Sequence, residues 1–319
     1  MTGDVGKAVW LHAGVIFTLF AMQFVLPDYH HLIATRVMVL AVFAMGYNVM
    51  FGYTGLLSLG HAMFFGTGMY TAGMTVYHLG WSVPLAFTAG IVSGAFVSLL
   101  LGAIALRTAG VSFMIVTLMF SQVAYLATLY FTSYTRGDEG LVLPAAARSF
   151  SVFGHVVDLT DPATRYNLAL ALLTITVIVV FKLVRGSTGR ALVAVRENEP
   201  RTQMLGYNTF VIKLESVVIS GSLSAASGAA YALLFAYVGS SFTSIQYSID
   251  ALLFTLLGGA GTVLGPLLGS FIMFYLIDIA SSYTAAYLLV TGFVLIGLVL
   301  FFPRGLLGAL KTRWLPWLP

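Results

Sequence analysis

The sequence predicts an all-α, polytopic integral membrane protein of eight to ten transmembrane helices with two Gly-interrupted segments. Three observations predict it. Of 319 residues, 59% are hydrophobic and only 8% charged, against about 25% charged in a soluble domain. Apolar runs of the length that crosses a bilayer, about 20 residues, recur along the whole chain. No polar block between them is long enough to fold on its own, so 1–319 reads as one domain.

The elements follow in order. The run 8–26 comes after Lys7; it is too long for the apolar part of a signal peptide, and no small-x-small site precedes Pro27, so it reads as the first span. Spans follow at 33–51, 62–78, 83–106 and 111–131. A mixed-charge outer loop occupies 132–165, with Arg136, Asp138, Glu139, Asp158 and Asp161 and turn residues Gly137 and Gly140. A loop of this length without periodicity is either functional or a solvated cap. The next span is 166–185, then the basic island 186–213, then the span 214–238. An interrupted stretch, 250–280, is divided by Gly258-Gly259-Ala260-Gly261 and Gly265-Pro266, and a last span covers 284–302.

Charge sets the orientation. Lys and Arg resist translocation, so short basic loops stay cytoplasmic. With 186–213 inside, alternation places Lys7, Arg107, Lys182, Arg185, Arg190, Arg196, Arg201, Lys213, Arg304, Lys311 and Arg313 inside, and Arg36, Arg136, Arg148 and Arg165 outside, an 11 to 4 division of the 15 basic residues. Both termini are therefore expected in the cytoplasm. The net charge of +4 is a topology signal. Its basic residues lie singly, without interleaved aromatics, which argues against nucleic acid as a partner.

Two glycine-rich breaks stand out: 52–61, with Gly55, Ser58, Gly60 and His61, and 258–266, with Gly259, Gly261 and Gly265. Paired breaks in two halves point to a transport pathway, because irregular backbone at membrane depth survives only where protein buries it or water reaches it. Close helix packing through small residues is the other reading. Ser220/Gly221, Ser224/Ala225 and Ser227/Gly228 form a small-residue stripe read mainly as packing. Candidate pathway residues are Asn48, Gly55, Ser58, Gly60, Gln122, Gly259, Gly261 and Gly265.

Enzymatic chemistry finds little to stand on. There is no cysteine, hence no disulfide and no thiol chemistry. No GxxxxGK[ST], HExxH or GxSxG motif occurs, and His61 has no second metal-ligand type at helical spacing, so no metal is expected. A hydrogen-bonded interior histidine is the expected role. Ionisable residues are nearly absent from the spans. Asp250, Glu215 and Asp278 fall near predicted helix ends, where they would reach the interface, so ion coupling is not expected and the energy comes from elsewhere.

Five motifs occur in order: GYTGLLSLGHAMFFGTGMYTAG (52–73), LRTAGVSFMIVTLMFSQ (106–122), GRALVAVRENEPRTQMLGYN (189–208), LGGAGTVLGPLLG (257–269) and FPRGLLG (302–308). Together they resemble the branched-chain amino acid ABC importer permeases, of the LivM type in the LivH/LivM pair. The resemblance implies a permease of the bacterial inner membrane that pairs with a second, LivH-like permease. It further implies two ABC ATPase subunits, which hold the ATP and Mg while this chain holds no cofactor, and a periplasmic substrate-binding protein. In that picture Arg190, Arg196, Glu197, Asn198, Glu199 and Gly206 belong to the loop that the ATPases grip, and Arg136, Gly137, Asp138, Glu139 and Gly140 to the surface that meets the binding protein. Two departures alter charge near the outer half of the pathway. Gln122 stands where the family often has an acid, and Thr135-Arg136-Gly137-Asp138-Glu139-Gly140 replaces a TGGxNG pattern. Branched-chain or other amino acids, or similar small metabolites, are the expected cargo; a standalone channel for urea or short amides is the alternative.

Overall fold

The computed structural model describes residues 2–152, 155–302 and 305–313; Pro303 and Arg304 of the last motif, and Arg304 of the charge division, lie outside them. Helices α1 (Thr2–Met22), α2 (Asp28–Asn48, continued by a π-turn over Val49–Tyr53), α3 (Ala62–Leu79), α4 (Val83–Ala105) and α5 (Val111–Tyr130) form the first part. A short helix α6 (Thr132–Thr135) and strands β1 (Leu141–Val142), β2 (Ser149–Val152) and β3 (His155–Asp158) make up the long loop. Then come α7 (Pro162–Arg185), α8 (Ser187–Glu197), α9 (Glu199–Met204), α10 (Thr209–Phe235), β4 (Tyr237–Val238), α11 (Ile245–Gly258), α12 (Gly265–Tyr283), α13 (Tyr287–Phe301) and α14 (Leu306–Arg313). Among the described residues, six helices are long and apolar enough to cross a membrane: Asp28–Tyr53, Val83–Ala105, Val111–Tyr130, Pro162–Arg185, Thr209–Phe235 and Gly265–Tyr283.

The core is α2 and α10, antiparallel, with α3 and α4 against them. From Ile33 to Met50, α2 is buried on all sides except at Arg36, as an apolar helix without a polar face must be. The small-residue stripe of α10 lets backbones touch: side chains added at Gly68, Gly94, Gly221 or Gly228 would overlap the facing helix. Its serines then bond across the gap, Ser220 Oγ to Gly46 O at 2.5 Å and Ser227 Oγ to Val39 O at 2.6 Å. The stripe is thus a packing face, as expected.

Several boundaries differ from the sequence reading, among them those of α1 and α2, which start at Thr2 and Asp28 rather than 8 and 33. Helix α10 starts at Thr209, inside the island, because Asn208 caps it by accepting from Val211 N. Helix α7 starts at Pro162, capped by Asp161, which accepts from Thr164 N. Helix α11 starts at Ile245 rather than 250. The last difference carries a correction: Asp250 does not reach the interface from a helix end. Ser248, in the first turn of α11, accepts from Ala62 N at the start of α3, at 2.8 Å. His61 beside it is bonded to Ser220 and Ser224, halfway along α10. Helices α3 and α11 therefore both begin at mid-depth and run to opposite ends of the bundle, and Asp250 sits in the second turn of such a half-helix.

At the end where α10 finishes, β1 pairs antiparallel with β4 (Leu141 with Val238) and β2 with β3. Arg148, read from sequence as a loop charge, is buried and closes the C-terminus of α10, donating to Leu233 O, Leu234 O and Leu159 O. A cation there meets carbonyls that have no helical partner.

Candidate functional site

The hairpin α8–α9 projects from the opposite end. Gly186 opens α8, and Asn198 both ends it and caps α9, its Oδ1 accepting from Arg201 N at 2.9 Å. Gly206, at φ +88°, turns the chain back; only glycine takes that conformation at low cost. Arg190 and Glu197 are exposed, and Glu197 makes no ion pair among the described residues. Glu199 instead pairs with Lys213 at 2.6 Å, tying α9 to α10.

Burial is the largest single influence on the Glu199 carboxyl and raises its pKa, but the hydrogen bonds from Lys213 and Thr209 and the Lys213 charge together outweigh it, and the net value lies below the ordinary one. A depressed carboxylate stabilises above its unfolded pKa of about 4.3 and loses that contribution as pH falls through the folded value. Amide protection over 199–213, relative to the intrinsic exchange rate at each pH, should therefore be high at neutral pH and fall in acid below about pH 4. Glu199→Gln should be less protected at neutral pH and show no further loss in acid; an unchanged acid loss in that variant would remove the pair as its cause.

Arg196, near the end of α8 and itself exposed, reaches across to the two breaks. Its Nη1 donates to Gly52 O, its stem lies along Gly55, and its guanidinium lies against Gly261. Gly261 stands at φ +74°, with room for a Cβ only 3.3 Å from Arg196 Nη1 and from Gly52 O. Asn48, fully buried on α2 just before the first break, bonds the second: its Nδ2 donates to Thr262 O and its Oδ1 accepts from Gly261 N, both at 2.9 Å. Helix α14 closes the cluster from outside. Burial and the Arg196 charge together lower the Lys311 pKa. The two Gly-rich breaks, 206 residues apart in sequence from Gly52 to Gly258, thus form one site with Arg196 as the shared contact.

The other nominated residues are spread out. Ser58 is buried and braces the first break, with Tyr47 Oη donating to its carbonyl and Gly60 N to its Oγ. Gly60 lies so close to Thr117 O that no side chain fits. His61 is enclosed, its Nε2 2.7 Å from Ser224 Oγ and 3.2 Å from Ser220 Oγ, the interior role expected of it. Gly259 and Gly265 flank the second break. Gln122 is partly exposed on α5. At the far end, Arg136 donates to Tyr77 Oη at 2.7 Å and Asp138 accepts from Ser240 Oγ at 3.0 Å. With Gly137 and Glu139 they line a polar hollow of about 440 Å³, while Gly140 packs under Tyr237.

The sequence reading missed the tip of the hairpin. Met204, Leu205 and Tyr207 are 86%, 71% and 55% exposed, with Phe210 and Val211 next to them. An apolar patch rimmed by charges marks an interaction surface. Its signal in the sequence was ML-x-Y beside charged residues, which reads as a helix end until the turn at Gly206 places the side chains outward.

A family model described as branched-chain amino acid transport system, permease component, matches residues 30–302. The chain is similar to the high-affinity branched-chain amino acid transport system permease protein LivM of Salmonella typhimurium, with 29% identity over 305 residues covering 88% of this chain and 70% of that one. LivM of Escherichia coli is 28% identical over 303 residues, with the same coverage. The permease protein LivH of Escherichia coli is 25% identical over 292 residues, 84% of this chain and 91% of that one. No solved structure matches the chain.

Proposed function

Because the chain belongs to the branched-chain amino acid transport system permease family, we propose that it works as one permease of an ATP-driven importer, through a motion of α8–α9 passed to both Gly-rich breaks by Arg196. The observation that carries this reading is that contact. One exposed hairpin touches, through a single side chain, the two places where the membrane backbone is irregular. A tilt of the hairpin acts on both breaks at once, as rigid elements transmit motion through packed contacts.

In this reading two ATPase subunits bind the hairpin on the cytoplasmic side, an orientation supported by the 11 to 4 division of basic residues. Both termini then lie inside. A LivH-like permease completes the membrane part, and a periplasmic binding protein meets the turn 135–140 at the other end of the bundle. The chain itself carries no catalytic role and no metal; ATP and Mg belong to the ATPases. Leucine, isoleucine, valine or similar neutral solutes are the cargo.

The test is purification of the tagged chain in mild detergent from its native membranes, with co-purifying subunits identified by mass. ATPases and a second multi-span permease are expected at stoichiometric yield. A lone chain that conducts solute downhill in liposomes would overturn the importer reading.

A further inference from the structure

A groove of about 380 Å³ lies between α1 and α7, at the end of α7 that leads into the α8–α9 hairpin. Val9, Ala13 and Ile16 line it from α1 and Val177, Ile178 and Phe181 from α7, with Lys182 at its mouth. His12, buried, sets its ring edge-on to Phe181 at 5.0 Å between centroids. Farther along, Tyr166 Oη donates to Leu19 O at 2.5 Å, so the two helices are fixed to each other at two levels. Val9 and Ile178 are nonetheless half-exposed. The walls of the groove are apolar and face away from the bundle.

The mouth is cationic. Arg185 stands one turn beyond Phe181 on the same face of α7 and holds its guanidinium over that ring, 4.6 Å from the centroid. Neither Lys182 nor Arg185 has an ion-pair partner among the described residues, and neither side chain makes a hydrogen bond there. Trp10 marks the depth. It is 79% exposed on α1, and an exposed tryptophan near the end of an apolar helix sits at the level of the lipid headgroups. The contact of His12 with Phe181 puts that level beside the last turn of α7. Both cations are thus level with lipid phosphates, and the groove walls with acyl carbons. A free phosphate ion would leave the walls uncovered, and an apolar helix would leave two cations without a counter-charge. A phospholipid with net negative charge meets both features, and basic pockets between helices at a membrane surface suit such headgroups.

We propose that the α1–α7 groove binds an anionic phospholipid, one acyl chain lying between the two helices and its phosphate held by Lys182 and Arg185. This requires α7 to span the bilayer, for which it is long and apolar enough, and does not depend on the importer reading.

The test places the full chain, with the subunits that purify with it, in phosphatidylcholine nanodiscs. A trace of phosphatidylglycerol carrying a photoreactive diazirine in its acyl chain is added, and cross-linked peptides are read by mass. Cross-links to 9–16 and 177–182 are expected at about ten times the yield of a phosphatidylcholine probe with the same chain. Lys182→Gln with Arg185→Gln should remove that preference. Ala13→Trp fills the groove and leaves both cations in place; it should cut labelling of 177–182 by phosphatidylglycerol about fivefold, because the acyl chain loses its apolar wall. Labelling of Val92 and Phe96, exposed on α4, is the control and should not change. Equal labelling by the two probes, or a preference that survives the loss of both charges, would mean that the groove holds only bulk lipid and would overturn the proposal. Absence of labelling on both helices with either probe would mean that a protein covers the groove, which overturns it equally.

Discussion

Replacing Arg196 with methionine is expected to cut ATP-driven uptake about tenfold or more while the ATPases stay bound. Methionine keeps an apolar stem beside Gly55 but loses the bond to Gly52 O and the charge beside Gly261. A hydrogen bond to a charged group is worth about 1.5–3 kcal/mol, and each 1.4 kcal/mol is about a factor of ten. If that bond is what makes the breaks follow the hairpin, its loss shifts their equilibrium by roughly one to two powers of ten. The measurement is uptake and ATP hydrolysis in the same proteoliposomes. Hydrolysis that continues with little uptake is the expected, uncoupled result. Uptake at the unmodified rate would show that the motion reaches the breaks by another route. Asn48 would then be the next contact to test, since it bonds the second break from the end of α2 that leads into the first.

The second large effect is expected at the hairpin tip. Met204→Asp with Leu205→Asp should abolish co-purification of the ATPases while the permease still reaches the membrane. Both side chains are exposed and belong to no internal contact that folding needs, so the change acts on the partner. Central apolar anchors of an interface are worth about 2 kcal/mol or more each, which for two residues is a weakening of several hundredfold or more. Full recovery of the ATPases with this variant would exclude the tip as the docking surface. This pair is a cleaner test than reversing Glu197 and Glu199 together, because Glu199 is bonded to Lys213 and its reversal would also loosen α9 from α10. Glu197 has no ion pair of that kind among the described residues.

The apolar spans were legible because the bilayer demands long uninterrupted apolar helices, and α4, α5 and α7 fall within a few residues of the expected bounds. The breaks were legible because glycine clusters interrupt that pattern. Their consequence was not. That the two breaks meet in space was not legible: Arg196 bonds Gly52, 144 residues away, beside Gly261, and Asn48 bonds Gly261 from 213 residues away. The two half-helices, α3 and α11, were read as an ordinary span and a short piece. Nothing local distinguishes a helix that begins at mid-depth from one that begins at the interface; the contact of Ala62 with Ser248 decides it.

The same division holds for the side chains. Hydrophobicity, basic loops and ordered motifs were enough, by themselves, to establish a multi-span membrane protein and its permease family, because each depends on residue type along the chain. The Arg196 contact and the outward face of Met204 and Leu205 were decided only by tertiary structure. Each depends on distances between residues that are far apart in sequence, and helix packing sets those distances one contact at a time.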